Sequence, residues 1–163
     1  MEQEIQDVSI KRIQEAMPQL KGIENELIID YTEYKMPNDK HPIHRYPIRF
    51  DGLYIGLREK GKARFSINLK EFEVGHNDLV ICSPGDLVQA TLHEDIYISL
   101  NSFMPFFAAR KDHPVFHLTD SEMEELKAYF LLIKDNTEKE DYFRSDIIKR
   151  LLAAYLYKLG SIL

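Results

Sequence analysis

The chain has 163 residues, of which 44% are hydrophobic and 29% charged, and its formal net charge is -6. This length allows one domain with its own core, and the negative charge has the wrong sign for a surface that holds a nucleic-acid backbone. A single cysteine, Cys82, excludes a disulfide within the chain. No window is long and apolar enough for a membrane span, and the acidic start is unlike a signal peptide, so we expect a cytoplasmic protein.

The first part of the chain, residues 1–25, is predicted to form a short helix and an arm. Apolar residues recur at mixed helical spacings over 3–17 until Pro18 and Gly22 interrupt them, which indicates an amphipathic helix. The apolar run over 26–34 predicts the first strand. Residues 36–47 contain three prolines and two histidines, which predicts a loop or arm.

A strand rhythm dominates residues 51–102, where short apolar runs alternate with turn signals such as Gly61 and Ser83-Pro84-Gly85-Asp86. Within the runs, Leu53, Ile55 and Leu57 alternate with polar or small residues, as in strands with one buried face. We expect the apolar set to point inward, and the set that contains Tyr54, Gly56 and Arg58 to point outward. Roughly six such strands, over 26–102, predict an antiparallel β-barrel of jelly-roll type.

Two helices are predicted over 119–163. Thr119 and Glu122 have the spacing of a capping box, and the helix that follows is expected to end near 135–136. The last helix, over about 142–159, has too many apolar residues for one face. If one stripe packs on the barrel and the other remains for a partner, the protein is a homodimer through this helix, with the candidate interface Ile148, Leu152, Tyr155, Leu159 and Ile162. The alternative is that both stripes are buried within one chain.

Three blocks of sequence resemble a cupin barrel, and more narrowly the amino-terminal sensor domain of AraC-family transcription regulators. They are the block Ile55–Gly61, the run from Phe72 through Ile81 to Asp86, and the helical tail, and together they cover about residues 45–163. The resemblance implies a small-molecule effector in the barrel, an amino-terminal arm that can cover it, and pairing through the helical hairpin. It also implies a DNA-binding domain with two helix-turn-helix units, which these residues do not contain. We therefore expect a piece of a longer regulator.

Catalytic chemistry is not predicted. Many cupins bind a metal through histidines and a glutamate, but the corresponding positions here include Tyr54 and Val88, which leaves no ligand set and implies no metal or other cofactor. Cys82 has no basic neighbours that would activate it, and no nucleophile triad, phosphate loop or dinucleotide motif is present. The prediction is a protein without enzymatic activity.

A small molecule is therefore expected in the barrel or at its mouth. Because the predicted interior lacks the polar side chains that a sugar needs, the ligand is predicted to be more apolar, or the barrel is filled by its own side chains. Arginine beside an aromatic residue at the mouth would suit a carboxylate or planar group. The candidate pocket residues are Arg45, Tyr46, Arg49, Leu53, Ile55, Phe65, Val88, Ala90, Ile98 and Leu100. The alternative functions are a stand-alone small cupin enzyme or a sugar-binding protein, and an interaction module.

Overall fold

In a computed structural model, the described residues are 5–23, 26–35, 46–93, 96–104 and 113–163. They form two sheets and three helices. The five-stranded sheet has the order β1 (Gln6–Val8), β4 (Ile48–Phe50), β9 (Leu87–Leu92), β6 (Ala63–Ile67) and β7 (Lys70–Val74). The six-stranded sheet has the order β11 (Val115–His117), β8 (Asp78–Cys82), β5 (Leu53–Lys60), β10 (Ile96–Met104), β3 (Leu27–Lys35) and β2 (Lys21–Ile23). The helices are α1 (Ile10–Ala16), α2 (Asp120–Thr137) and α3 (Arg144–Ile162).

The two sheets face each other as an open sandwich, and the helical hairpin of α2 and α3 covers the outer face of the six-stranded sheet. Among the described strands, every pair is antiparallel except β1 with β4. The expected cupin-like fold of jelly-roll type with a helical hairpin is confirmed, although the sheets do not close into one barrel. No helix in the described part of the chain is long and apolar enough to cross a membrane.

The amino-terminal region differs from its prediction. Residues 6–8 form an edge strand instead of the first turn of a helix, and α1 begins only after Ser9, whose side chain accepts a hydrogen bond from the Arg12 backbone. A serine cap gives a helix a defined start, so the chain before it is free to pair with β4. The first predicted strand is confirmed as β3. Residues 36–45 of the predicted arm lie outside the described residues.

The side chains of β5 alternate between two faces as predicted, but the layers that they face are the reverse of the expectation. Leu53, Ile55 and Leu57 pack under the helices. Tyr54 and Arg58, which were expected to be outward, are buried between the two sheets. Alternation identifies the two faces of a strand without showing which layer covers each face, and here both faces are covered.

The helical hairpin begins as predicted, with both hydrogen bonds of the Thr119–Glu122 capping box present. The candidate interface on α3 is not at the surface. Its residues belong to the core of one chain, in which four are buried and one is half-buried: Ile148, Leu152, Tyr155 and Leu159, and Ile162. A side chain in the core of one chain cannot also form the surface of a dimer. The four buried side chains are therefore not available as the surface of a dimer.

Candidate functional site

A buried arginine lies between the two sheets. The Arg58 side chain is 1% exposed, and its guanidinium donates hydrogen bonds to the Ser99 hydroxyl, to Asn101 Oδ1 at 3.2 Å and to the Tyr54 hydroxyl at 2.6 Å. Arg58 and Tyr54 lie on β5, whereas Ser99 and Asn101 lie on the neighbouring strand β10. These described partners are oxygen atoms of uncharged side chains. Hydroxyl and amide oxygen atoms thus hold the Arg58 guanidinium between the two sheets.

Strand register brings the four side chains together. Arg58 lies opposite Ser99, and Gly56 lies opposite Asn101, so the alternate positions of both strands point to the same side of the sheet. Ser99 and Asn101, which follow Arg58 by 41 and 43 positions in the sequence, therefore both contact its guanidinium. We call these four residues, Tyr54, Arg58, Ser99 and Asn101, the Arg58 cluster.

Hydrogen bonds within the Arg58 cluster fix the direction of both hydroxyl donors. Asn101 Oδ1 accepts from the Tyr54 hydroxyl at 2.7 Å, from the Ser99 hydroxyl at 2.6 Å and from Arg58. The Tyr54 and Ser99 hydroxyls each accept from Arg58 and donate to Asn101. Burial raises the pKa of Tyr54, while the neighbouring Arg58 acts in the opposite direction. The phenol therefore stays neutral and remains a donor at ordinary pH.

Gly56 provides the space in which Tyr54 and Arg58 meet. A Cβ atom at this position would lie 2.3 Å from the Tyr54 hydroxyl oxygen and 2.7 Å from a guanidinium nitrogen of Arg58. Both distances are shorter than a carbon atom tolerates. Sterics therefore explain why position 56 is a glycine, because a side chain there would collide with Tyr54 and Arg58.

Aromatic rings border the Arg58 cluster. The Arg58 guanidinium carbon lies 4.9 Å from the centre of the Phe65 ring, a cation–π distance. On the other side, the Phe103 ring centre lies 5.1 Å from that of Tyr54 and 5.6 Å from that of Phe50. Among the described residues, this layer thus places the Arg58 guanidinium next to an apolar and aromatic surface.

The predicted pocket residues divide between several places. Phe65, Val88 and Ala90 lie between the sheets, in the same layer as the Arg58 cluster. Leu53, Ile55 and Leu100 instead pack under the helices, and Ile98 is half-buried. The first three therefore remain pocket candidates, whereas the three under the helices are corrected to structural core.

The predicted carboxylate-binding residues at the mouth lie at the surface. Tyr46 and Arg49 are exposed, and Arg45 is outside the described residues. Arg49 pairs with the Asp7 carboxylate at 3.5 Å and lines a groove of about 420 Å³ with Phe50. An exposed guanidinium that already contacts a carboxylate binds a further anion weakly, because water screens it.

The sequence-based prediction missed Arg58, Ser99 and Asn101. A partial signal is the alternation of Ser99 and Asn101 with Ile98 and Leu100 in β10, although Ser102 interrupts the apolar set. This pattern is typical of a strand that is buried on both faces and has a polar site on one face.

Metal and thiol chemistry have no assembled site in the described part of the chain. No three histidine, cysteine, aspartate or glutamate side chains there are grouped to hold a metal ion. Cys82 is buried between the sheets, and burial raises the pKa of its thiol, so the reactive thiolate is disfavoured.

Comparison with solved structures places this fold beside ToxT from Vibrio cholerae. Unsaturated fatty acid bound wild-type ToxT aligns with 87% of this chain and 56% of its own length, at 10% identity and a TM-score of 0.53. An apo variant of ToxT aligns with 83% of this chain and 56% of its own, at 10% identity and a TM-score of 0.50. The AraC-like transcriptional activator CuxR aligns with 84% of this chain and 51% of its own, at 14% identity and a TM-score of 0.49.

These identities are low, so the likeness concerns the fold alone. At that level it confirms the resemblance found in the sequence. The chain spans about half the length of the ToxT and CuxR structures. No protein-family model matches the sequence, and no curated protein matches it.

Proposed function

We propose that this chain is the effector-sensing and dimerisation domain of an AraC-type transcription regulator, cytoplasmic and without catalytic activity. Its effector is a carboxylate with an apolar body, bound between the two sheets with the carboxylate at Arg58. The observation that carries this proposal is the burial of a guanidinium among aromatic rings inside the sandwich.

Moving a charged group out of water is costly, so such groups are concentrated at sites with a function. Guanidinium binds carboxylate through charge-assisted hydrogen bonds, which are about twice as strong as neutral ones. Phe65 and Phe103 next to the Arg58 cluster would contact the apolar part of the same ligand. An unsaturated fatty acid, as bound by ToxT, has this chemistry.

The test is a calorimetric titration with oleate and, as an uncharged probe of the same length, methyl oleate. Wild-type protein should bind oleate more tightly than the ester. Arg58→Gln should lose about tenfold or more in oleate affinity, because it removes the charge. The matched control is Arg49→Gln, which removes an exposed guanidinium and should bind as the wild type does. Equal affinity for acid and ester, or unchanged binding by a folded Arg58→Gln protein, would contradict the proposed ligand.

Dimerisation through the helical hairpin is the second part of the proposal. Because the expected stripe on α3 is buried, the surface that we assign to the partner copy is on α2, where Leu131 is 40% exposed and Leu132 is 50% exposed. A second copy packed on this surface would remove both leucine side chains from water, which favours association.

Sedimentation of the purified protein tests this assignment. The double variant Leu131→Glu, Leu132→Glu should be a folded monomer, whereas Leu69→Glu, which changes an exposed leucine in the β6–β7 turn, should remain a dimer. A monomeric wild type, or a double variant that still dimerises, would refute the interface. Binding of DNA would require a further domain, because the charge of this chain is -6.

A further inference from the structure

Two successive residues of β5 face two different layers. Arg58 points between the sheets, into the Arg58 cluster. Glu59 points to the opposite face, where its carboxylate accepts hydrogen bonds from Lys127 of α2 and from the Tyr31 hydroxyl of β3 at 3.2 Å. The Glu59 and Lys127 side chains are only 27% and 23% exposed, so their attraction is less screened than that of a surface pair. One peptide unit therefore connects the sandwich interior to the helical hairpin.

The strand is irregular at this step. Ser99 of β10 pairs with Arg58, whereas the preceding residue, Ile98, pairs with Lys60, so Glu59 is an extra residue that forms a β-bulge. Bulges bend a strand and redirect a side chain, and they are common next to functional sites. The Glu59 carbonyl oxygen lies 2.8 Å from His76 Nδ1 of the β7–β8 turn. His76 and Lys127, which lie outside the β5–β10 strand pair, therefore both contact the bulge residue Glu59.

A second connection runs from the Arg58 backbone to the start of α2. Asn77, in the same β7–β8 turn, donates its backbone N–H to the Arg58 carbonyl oxygen at 3.0 Å and accepts from the Leu118 N–H at 2.9 Å. Its side chain donates to the Asp120 carboxylate in the first turn of α2. Asn77 is 5% exposed and has a φ of 62°, a left-handed conformation that asparagine adopts more readily than most residues. Both connections end on α2, one at its first turn and one near its middle.

We propose that the Arg58–Glu59 step transmits occupation of the sandwich interior to α2, with the Glu59–Lys127 ion pair as the main contact. The inference rests on the proposed function, because it takes the effector carboxylate to bind at Arg58. A ligand that repositions the Arg58 side chain shifts the bulge, and the bulge is joined to α2 by the ion pair and by Asn77. By thermodynamic linkage, a change in α2 then alters effector affinity by the same factor.

Hydrogen exchange measured by mass spectrometry tests the connection, with oleate as the probe. In the wild-type protein, saturation with oleate should change the exchange rate of the α2 amides by about fivefold or more. Lys127→Met keeps the aliphatic stem of the side chain and removes its charge, so it should bind oleate but lose most of this change. Lys134→Met is the matched control, because Lys134 lies on the same helix and pairs with Glu138 at 2.9 Å instead.

The outcomes separate the two proposals. If oleate binds and Lys127→Met responds like the wild type, the connection is refuted and the proposed effector site stands. If oleate does not bind the wild-type protein, both proposals fail. If Lys127→Met does not fold, Glu59→Gln replaces it, since glutamine keeps the shape and an acceptor while it removes the ion pair. A loss of the α2 response in either variant, with the response retained in Lys134→Met, supports the connection.

Discussion

The Arg58 guanidinium donates a hydrogen bond to the Tyr54 hydroxyl at 2.6 Å, across the space that a side chain at position 56 would fill. The two residues are four positions apart on one strand. A contact of this kind requires alternate side chains on the same face and a gap between them. The absence of a side chain at Gly56 is therefore one condition for the Arg58 cluster, beside the facing strand.

Replacement of Gly56 by alanine should destabilise the protein by roughly 1–3 kcal/mol, because the added methyl group overpacks the Arg58 cluster. Urea unfolding gives this free energy. Gly160→Ala is the control, since beyond its chain neighbours and the nearby backbone of α3 no atom lies within 4 Å of a Cβ built there, and this substitution should stabilise by roughly 0.5–1 kcal/mol. Equal effects of the two substitutions would contradict the steric role of Gly56.

The β6–β7 turn contains a leucine in an unfavourable conformation. Asn68 and Leu69 have φ values of 49° and 67°, and Leu69 is 84% exposed. Two residues with positive φ in a two-residue hairpin turn are typical of a type I′ turn, which prefers glycine at the second position. Leu69→Gly should therefore raise the free energy of unfolding by roughly 0.5–1 kcal/mol, after allowance for the greater freedom of glycine in the unfolded chain. Leu69→Ala keeps the strain, and a gain of the same size in that variant would argue against this reason.

The α2 capping box should contribute measurably to stability. Thr119→Ala removes the hydroxyl that accepts from the Glu122 backbone at 3.2 Å, and the expected loss is about 1 kcal/mol. Ser121→Ala, an exposed position in the same first turn, should change the free energy of unfolding by less than half as much. Thermal or urea unfolding of both variants measures these losses. A larger loss of stability in Ser121→Ala than in Thr119→Ala would contradict the role of the capping box.

Alkaline pH should unfold the protein partly through its buried tyrosines. Burial raises the pKa of Tyr54 and of Tyr155. Below the ordinary tyrosine pKa of about 10, both phenols are protonated in the folded and unfolded chains, and the stability they contribute is complete. Above that pH the unfolded chain loses protons that the folded chain retains, so stability falls by up to about 1.4 kcal/mol per pH unit for each retained proton.

Urea unfolding at several pH values between about 9 and 11 measures that slope. Tyr54→Phe should be less stable overall, because it breaks the Arg58 cluster, but its stability should fall less steeply with pH. Tyr142→Phe is the matched control, since it removes a tyrosine hydroxyl that is 94% exposed and not buried by folding. An unchanged slope in Tyr54→Phe would show that this phenol ionises equally in both states.

Much of the architecture could be predicted from the sequence, because its signals are local. The strand over 26–34, the turn at Ser83–Asp86 and the Thr119–Glu122 capping box all depend on residues a few positions apart, and the structure contains each of them. Side-chain period and backbone hydrogen bonding act over the same short range. Their order, with the family resemblance, predicted a cupin-like β fold followed by a helical hairpin, but as a closed barrel and not as the two open sheets of the structure.

The site could not be predicted in this way, because it depends on which layer covers each face. Alternation in β5 divides Leu53, Ile55 and Leu57 from Tyr54 and Arg58, and only packing decides that the helices cover the first set and the second sheet covers the other. The same packing buries the α3 stripe that looked free for a partner. Arg58 meets Ser99 and Asn101 through strand register, across 41 and 43 residues of sequence. Contacts over that distance arise from the tertiary structure, because neither strand by itself specifies its neighbour.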